Sequence, residues 1–445
     1  MQLFSKILIA NRGEIALRIL RSCQELGIKT VIVHSTADED SMPVRLSDES
    51  VCIGAPQASE SYLNMRAIMS AAEITGVDAI HPGVGFLSEN SKFAQMTIDH
   101  GITFIGPEPS HIDLMGNKIA AKITMQELGL ATIPWSKGTI TSEDSAVKQA
   151  ESIGFPIIIK ASAGGGGKGM KVVNNKKDII HAYHLAKTEA KVNFGNDDVY
   201  MERYFKKPRH IEFQIIADKF GNVVCLGQRD CSIQRHHQKI WEEAPATNLP
   251  DKAVEKVNEL IINAIKKLGY VGVGTIETLY EDGIFYFMEM NTRLQVEHTV
   301  TEMVTGIDIV NQQISIAAGH PLSFTQKDVH VRGHAIECRI NAEDPSTFFP
   351  SPGKVKTYHP AGGLGVRVDS HIYSGYNIPT YYDSLICKLV SYATTRDACL
   401  SKMRRALKEF VIDGVSTLIP LHQKLVDNND VAHADYDIHW LSRNY

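Results

Sequence analysis

Lys160-Ala-Ser-Ala-Gly-Gly-Gly-Gly-Lys-Gly-Met170 has the make-up of a phosphate-binding loop, because glycines let the backbone approach an anion and lysines supply charge. A Walker A loop has the form G-x-x-x-x-G-K-[ST], in which the hydroxyl after the lysine holds Mg²⁺. Here Lys168 is followed by Gly169, and Ser162 stands where the first glycine belongs. Any metal that accompanies a phosphate must therefore be held elsewhere in the chain. Working outward, the apolar run before the loop and the one after it read as strands at 156–161 and 170–173, followed by a helix at 178–193 and a strand at 199–204. A glycine loop between two strands is a flap, unlike a Walker loop, whose phosphates sit on a helix N-terminus.

The segments before this unit repeat a strand–helix pattern: "KILIA" at 6–10, "EIALRILRSCQELG" at 14–27, "KTVIVHS" at 29–35, then 67–83 and 102–106. A parallel sheet flanked by helices follows for roughly residues 1–115. The first turn, "ANRGE", lacks G-x-G-x-x-G, which argues against a nicotinamide site. A helical segment at 117–129 leads into the flap unit, and strand-like runs with helices fill the chain from about 205 onward. At 445 residues with 43% apolar content, several cores can be buried. A net charge of −5 gives no basic surplus for nucleic acid or an anionic membrane surface. The seven scattered cysteines lack C-x-x-C pairs and suit reduced thiols in a cytoplasm. Cys231 with His236 and His237 matches no usual zinc spacing.

"GTIETLYEDGIFYFMEMNTRLQVEH" (274–298) is where the missing metal ligands are sought. Asp282-Gly283 marks a hairpin turn. Beyond it Glu289, Asn291, Arg293, Gln295 and Glu297 alternate with apolar residues, so they share a face while the chain stays extended. A three-residue turn with a glycine bulge puts Glu277 opposite Glu289, where a hard cation would relieve their repulsion. A two-residue turn puts them on opposite faces, and the sequence leaves both open.

Nine motifs in unbroken order from about residue 6 to 441 carry a resemblance: "ANRGEIALRI", "HPGVGFLSEN", "LMGNK", "IIIKAS" with its glycine loop, "RDCSIQRHHQK", "EEAPA", "EMNTRLQVEH", "GHAIECRINAEDP" and "YYDSLICKL". Together they resemble the biotin carboxylase subunits of acetyl-CoA carboxylase, in the ATP-grasp superfamily. The resemblance implies a three-part α/β fold, α+β toward the C-terminus. Its parts are an N-terminal domain (1–115), a helical linker (116–130), a small mobile lid (131–204) and a larger catalytic and C-terminal region (205–445). It implies ATP, two Mg²⁺ or Mn²⁺ ions, bicarbonate, and biotin carried by another protein. Lys118 and Lys160 would meet ATP phosphates, with Gly166 and Gly167 closing over them. Glu202, Arg203, Tyr204 and Phe205, with Ile438, would hold adenine, His210, Gln234 and His237 the ribose and phosphate side, and Leu279 would be a further cofactor contact. Glu277, Glu289 and Asn291 would bind metal. Glu297 would be the base, Lys239, Arg293, Gln295 and Val296 would bind bicarbonate, and Arg339 would face the biotin enolate. Val84 stands where the family has a tyrosine beside biotin, Ala163 and Lys168 vary the flap, and Thr299 replaces a proline.

The expected partners are a biotin carboxyl carrier protein, carboxyltransferase subunits and a second copy of the chain, paired through Arg18, Arg21, Glu25 and Arg367. A separate carrier is expected because the chain, which ends at Tyr445, has no "MKM" acceptor lysine. The alternatives are a different ATP-grasp carboxylate–amine ligase, a carboxylase subunit serving another acyl-CoA, or a nucleotide-sensing partner without catalysis.

Overall fold

The computed structural model describes residues 3–162 and 170–445; Gly166 and Gly167 lie outside the described residues. Five parallel strands open the chain, in the spatial order Glu49–Gly54, Lys29–Ser35, Lys6–Ile9, Ala79–His81, Thr103–Phe104. Ile7 and Ile9 pack with the helix Gly13–Glu25 on one face, and Leu8 and Val31 pack with the helix Met65–Thr75 on the other. The central strands Lys6–Ile9 and Lys29–Ser35, buried on both faces, read as continuous apolar runs and were legible, whereas the largely exposed edge strand Glu49–Gly54 was missed. The strand order reverses between Lys6–Ile9 and Ala79–His81, and open α/β sheets take ligands at such a switch point. Asn11 lies at this point and donates from Nδ2 to the carbonyls of Pro82 (2.7 Å) and Val84 (2.8 Å). Gly83 has φ 67°, and a Cβ there would lie 2.7 Å from Asn11 Nδ2, so the loop carrying Val84 requires glycine.

The helix Lys118–Glu127 leads into a small antiparallel sheet of Lys171–Val173, Ile157–Ala161 and Val199–Arg203. The helices Glu143–Ile153 and Ile179–Phe194 cover one face, burying Ile157, Ile159, Val199 and Met201. The chain then enters an eight-stranded antiparallel sheet. Its order is Ile284–Asn291, Gly272–Glu281, Arg209–Ala217, Val223–Arg235, Gln238–Ala244, His334–Asn341, Leu385–Ala393, Val366–Ser370. The helix Asp251–Leu268 packs Ile261 and Ile265 with Phe213 and Phe287. A second core around Trp241, Leu389 and Met403 closes the far end. Lys388, fully buried, ties the parts together: its ammonium meets Glu14 of the first helix at 3.0 Å and donates to the Val296 carbonyl at 2.8 Å. Among the described residues no helix is long and apolar enough to cross a membrane.

Candidate active site

A cavity of about 400 Å³ lies between the large sheet, the small sheet and the switch point of the first sheet. One end is apolar, walled by Ile133, Ile158, Leu279 and Ile438, a setting for a flat base. Glu202, Arg203, Tyr204 and Phe205 line it where the chain crosses from the small sheet to the large one. Tyr204 Oη is 3.0 Å from His439 Nε2, and the Ile438 N–H donates to Pro208 O at 3.0 Å, which pins the C-terminal segment across this crossing. His237 enters from the turn between Val223–Arg235 and Gln238–Ala244. His236 and His237 hold φ values of 48° and 67°, strained for residues with a Cβ. Such strain persists only where the surrounding structure holds it, and here it goes with a His237 that lines the cavity.

The hairpin corrects the sequence reading. Glu281 pairs with Ile284, so Asp282 and Gly283, at φ 51° and 81°, form a two-residue turn. Glu277 nevertheless pairs with Glu289, because the register shifts between Glu277 and Thr278 and leaves Met288 as an extra residue. The bulge restores the face that the short turn would have lost. Lys118, at the start of a helix capped by Asn117 Oδ1, approaches Glu289 at 3.9 Å. Glu277, Glu289 and Asn291 all face the cavity and offer hard oxygen donors, which fits Mg²⁺ or Mn²⁺. His210, Glu212 and Glu277 also bring ligand atoms within 4.8 Å of one another. The Lys239 ammonium, 2.5 Å from Glu212 and 2.9 Å from Glu277, already satisfies that cluster.

Beyond Asn291 the chain leaves the strand, yet Arg293, Gln295, Val296 and Glu297 still line the cavity. Lys239 reaches a third acid, Glu297, at 2.6 Å. Arg339 binds Glu297 at 2.9 Å and Glu242 at 2.5 Å. Arg293 is held by Glu89 at 2.8 Å, and its other nitrogens meet Gln295 and Asn291. Gln295 in turn donates to Glu277 at 3.1 Å. Burial pushes Glu297 up, but Lys239 above all, then Arg339 and Arg229, hold it below the ordinary carboxylate range. Burial and Lys239 push His210 down, and Glu277 and Glu212 outweigh them, raising it to about 9. Gln234 lies 3.0 Å from His210 Nδ1.

The expected site residues that fall within the described residues all line this one cavity, Val84 and Arg339 included. Sequence reading missed the acids that hold its cations: Glu89, Glu212 and Glu242. Glu212 alternates with His210 along one strand, a period-two signal that was there to use. Arg18 and Arg367, expected on a pairing surface, share Glu302 within the chain at 2.8 and 2.7 Å, while Arg21 and Glu25 are exposed.

Family profiles match three consecutive stretches: "Biotin carboxylase, N-terminal domain" at residues 3–112, "Carbamoyl-phosphate synthase L chain, ATP binding domain" at 117–325, and "Biotin carboxylase C-terminal domain" at 337–443. The chain is 53% identical to the biotin carboxylase of Haemophilus influenzae, over 99% of each. The chain belongs to the biotin carboxylase family. A biotin carboxylase from Campylobacter jejuni, solved as a beta-gamma-ATP complex, superposes with a TM-score of 0.97 at 50% identity, covering 99% of each chain. The biotin carboxylase domain dimer of 2-oxoglutarate carboxylase from Hydrogenobacter thermophilus, solved with MgADP, ADP and bicarbonate, gives 0.96 at 44% identity, covering 100% of this chain and 98% of that one. The fold is ATP-grasp, and the chain is a ligase of that class.

Proposed function

We infer that the chain cleaves ATP with bicarbonate to give ADP and carboxyphosphate, and carboxylates the biotin of a carrier protein. The observation that carries this reading is the run Lys239–Glu297–Arg339. It places one ionised carboxylate between two cations, at 2.6 and 2.9 Å, at the foot of a cavity whose other end suits a nucleotide. Bicarbonate and ATP are both anions, so their approach requires fixed positive charge and a base for the bicarbonate proton. Lys239, Arg293, Gln295 and the Val296 backbone hold bicarbonate, and Glu297 takes its proton as an oxygen attacks the γ-phosphorus and ADP departs. Glu277, Glu289 and Asn291 would hold the two divalent ions, which neutralise charge on the phosphates. Carboxyphosphate then parts into CO₂ and phosphate. The phosphate removes the ureido proton of biotin, and the nitrogen attacks CO₂ while the planar Arg339 guanidinium stabilises the enolate-like oxygen.

Lys118 and Lys160 bind the ATP phosphates, and the 202–205 crossing with Leu279 and Ile438 binds adenine. His210, Gln234 and His237 lie on the ribose and phosphate side. The reaction is the first half of acetyl-CoA carboxylation in fatty acid synthesis, and carboxyltransferase subunits complete it. The chain acts as a homodimer; all seven cysteines are free, which suits a reducing cytoplasm. The test is Mg²⁺-dependent ADP release, expected to require bicarbonate and to rise with free biotin. No stimulation at millimolar biotin, with stimulation by an amine, would replace this reading by a carboxylate–amine ligase. Sedimentation at the 49.2 kDa of one chain would remove the dimer.

A further inference from the structure

Lys122 lies one helical turn after Lys118 and is only 1% exposed. It is not among the residues lining the cavity, whereas Lys118, Lys160 and Glu202 are. Its ammonium contacts Oε1 of Glu202, while Lys160 holds Oε2 of the same carboxylate at 2.6 Å. Glu202 is itself 1% exposed, and the rings of Trp135 and Tyr200 each lie 5.5 Å from Lys122 Nζ. One buried carboxylate thus carries two ammoniums, one turned to the cavity and one behind it. Burial above all, then Lys160 and Lys118, push the Lys122 ammonium well below its ordinary value, and among the described residues the Glu202 carboxylate is the one acid it touches.

This inference rests on the ATP reading of the cavity. A lysine that binds phosphate must give up some of its hold on Glu202 when the nucleotide arrives. With Lys160 as its sole counter-ion, Glu202 would then be a stranded buried charge, which is strongly unfavourable. We propose that Lys122 is a positioning residue: it stays on Glu202 as a permanent counter-ion and so lets Lys160 exchange Glu202 for a nucleotide phosphate. Lys122 acts through Lys160 and touches no substrate.

The test is a double-mutant cycle read by the ATP dissociation constant, with kcat and KM measured beside it. Lys122→Met is expected to weaken ATP binding about tenfold or more in the wild-type background, and less than about twofold in a Glu202→Gln background, because a neutral amide no longer competes for Lys160. The loss falls on KM for ATP rather than on kcat at saturation, and Lys122→Arg recovers it. Equal losses in both backgrounds would make Lys122 a mere packing element and overturn the proposal, as would wild-type ATP affinity in Lys122→Met. If Lys122→Met does not fold, Lys122→Gln carries the same comparison. A wild-type protein that binds no ATP would overturn the cavity assignment and the exchange with it; one that binds ATP while the cycle is additive overturns the exchange alone.

Discussion

The large sheet and the small sheet both face the cavity, and they hold charge differently. On the large sheet the cations around the reacting end are braced by several fixed groups: Lys239 by Glu212, Glu277 and Glu297, Arg339 by Glu242 and Glu297, Arg229 by Glu212 with Gln214 and Thr301. On the small sheet a single carboxylate, Glu202, is shared by Lys160 and Lys122. A braced network needs no reorganisation as charge develops in a reaction, whereas a shared partner can be traded. The first arrangement suits chemistry and the second suits binding and release.

The largest effect is expected from Glu289→Gln on the large sheet. A neutral amide is a poor ligand for metal beside phosphates, so turnover in the ADP-release assay should fall about 10³-fold. Near-normal turnover would mean that the polar face is merely solvated. Arg339→Lys is expected to lower biotin carboxylation about 10²-fold while sparing ATP affinity, because a single ammonium replaces a planar fork. A large loss of ATP binding would contradict its place at the reacting end.

His210 gives the large sheet a pH dependence. Its imidazolium is raised from 6.5 to about 9, so its stabilisation is fully present below pH 6.5 and is lost as pH rises through 9. Urea unfolding should show about 3 kcal/mol less stability at the alkaline end, and His210→Gln should flatten that slope. On the small sheet, Lys160→Met should raise KM for ATP about tenfold and change kcat less, the signature of lost binding. Val84→Tyr belongs to neither sheet. It should lower KM for biotin about fivefold by adding an aromatic wall, leaving ATP untouched.

Much of the cavity was legible because its ligands sit in contiguous motifs. The 202–205 run, the 289–297 run and Arg339 each occupy one short stretch, and strand alternation explains why Glu289 and Asn291 share a face. The hairpin shows where such reasoning stops. Asp282-Gly283 marked the turn correctly, but Met288 carries no local sign that it is the extra residue of a bulge, since cross-strand register decides it. Glu89 meets Arg293 across 204 positions, and Glu242 meets Arg339 across 97. No periodicity connects residues so far apart. Lys122 was hidden for another reason: at helical spacing it reads as an ordinary solvated lysine, and only the fold reveals the buried carboxylate it meets.

Lys388 has a consequence for inheritance. Its buried ammonium joins Glu14, in the first helix, to the carbonyl of Val296, next to the proposed base. A recombination event that brought in a foreign first domain without an acid at position 14 would leave that ammonium short of a partner and loosen the loop ahead of Glu297. Swaps between relatives should therefore succeed when the acid and the lysine travel together and fail when either is left behind, so these parts descend as one unit although each has a core of its own.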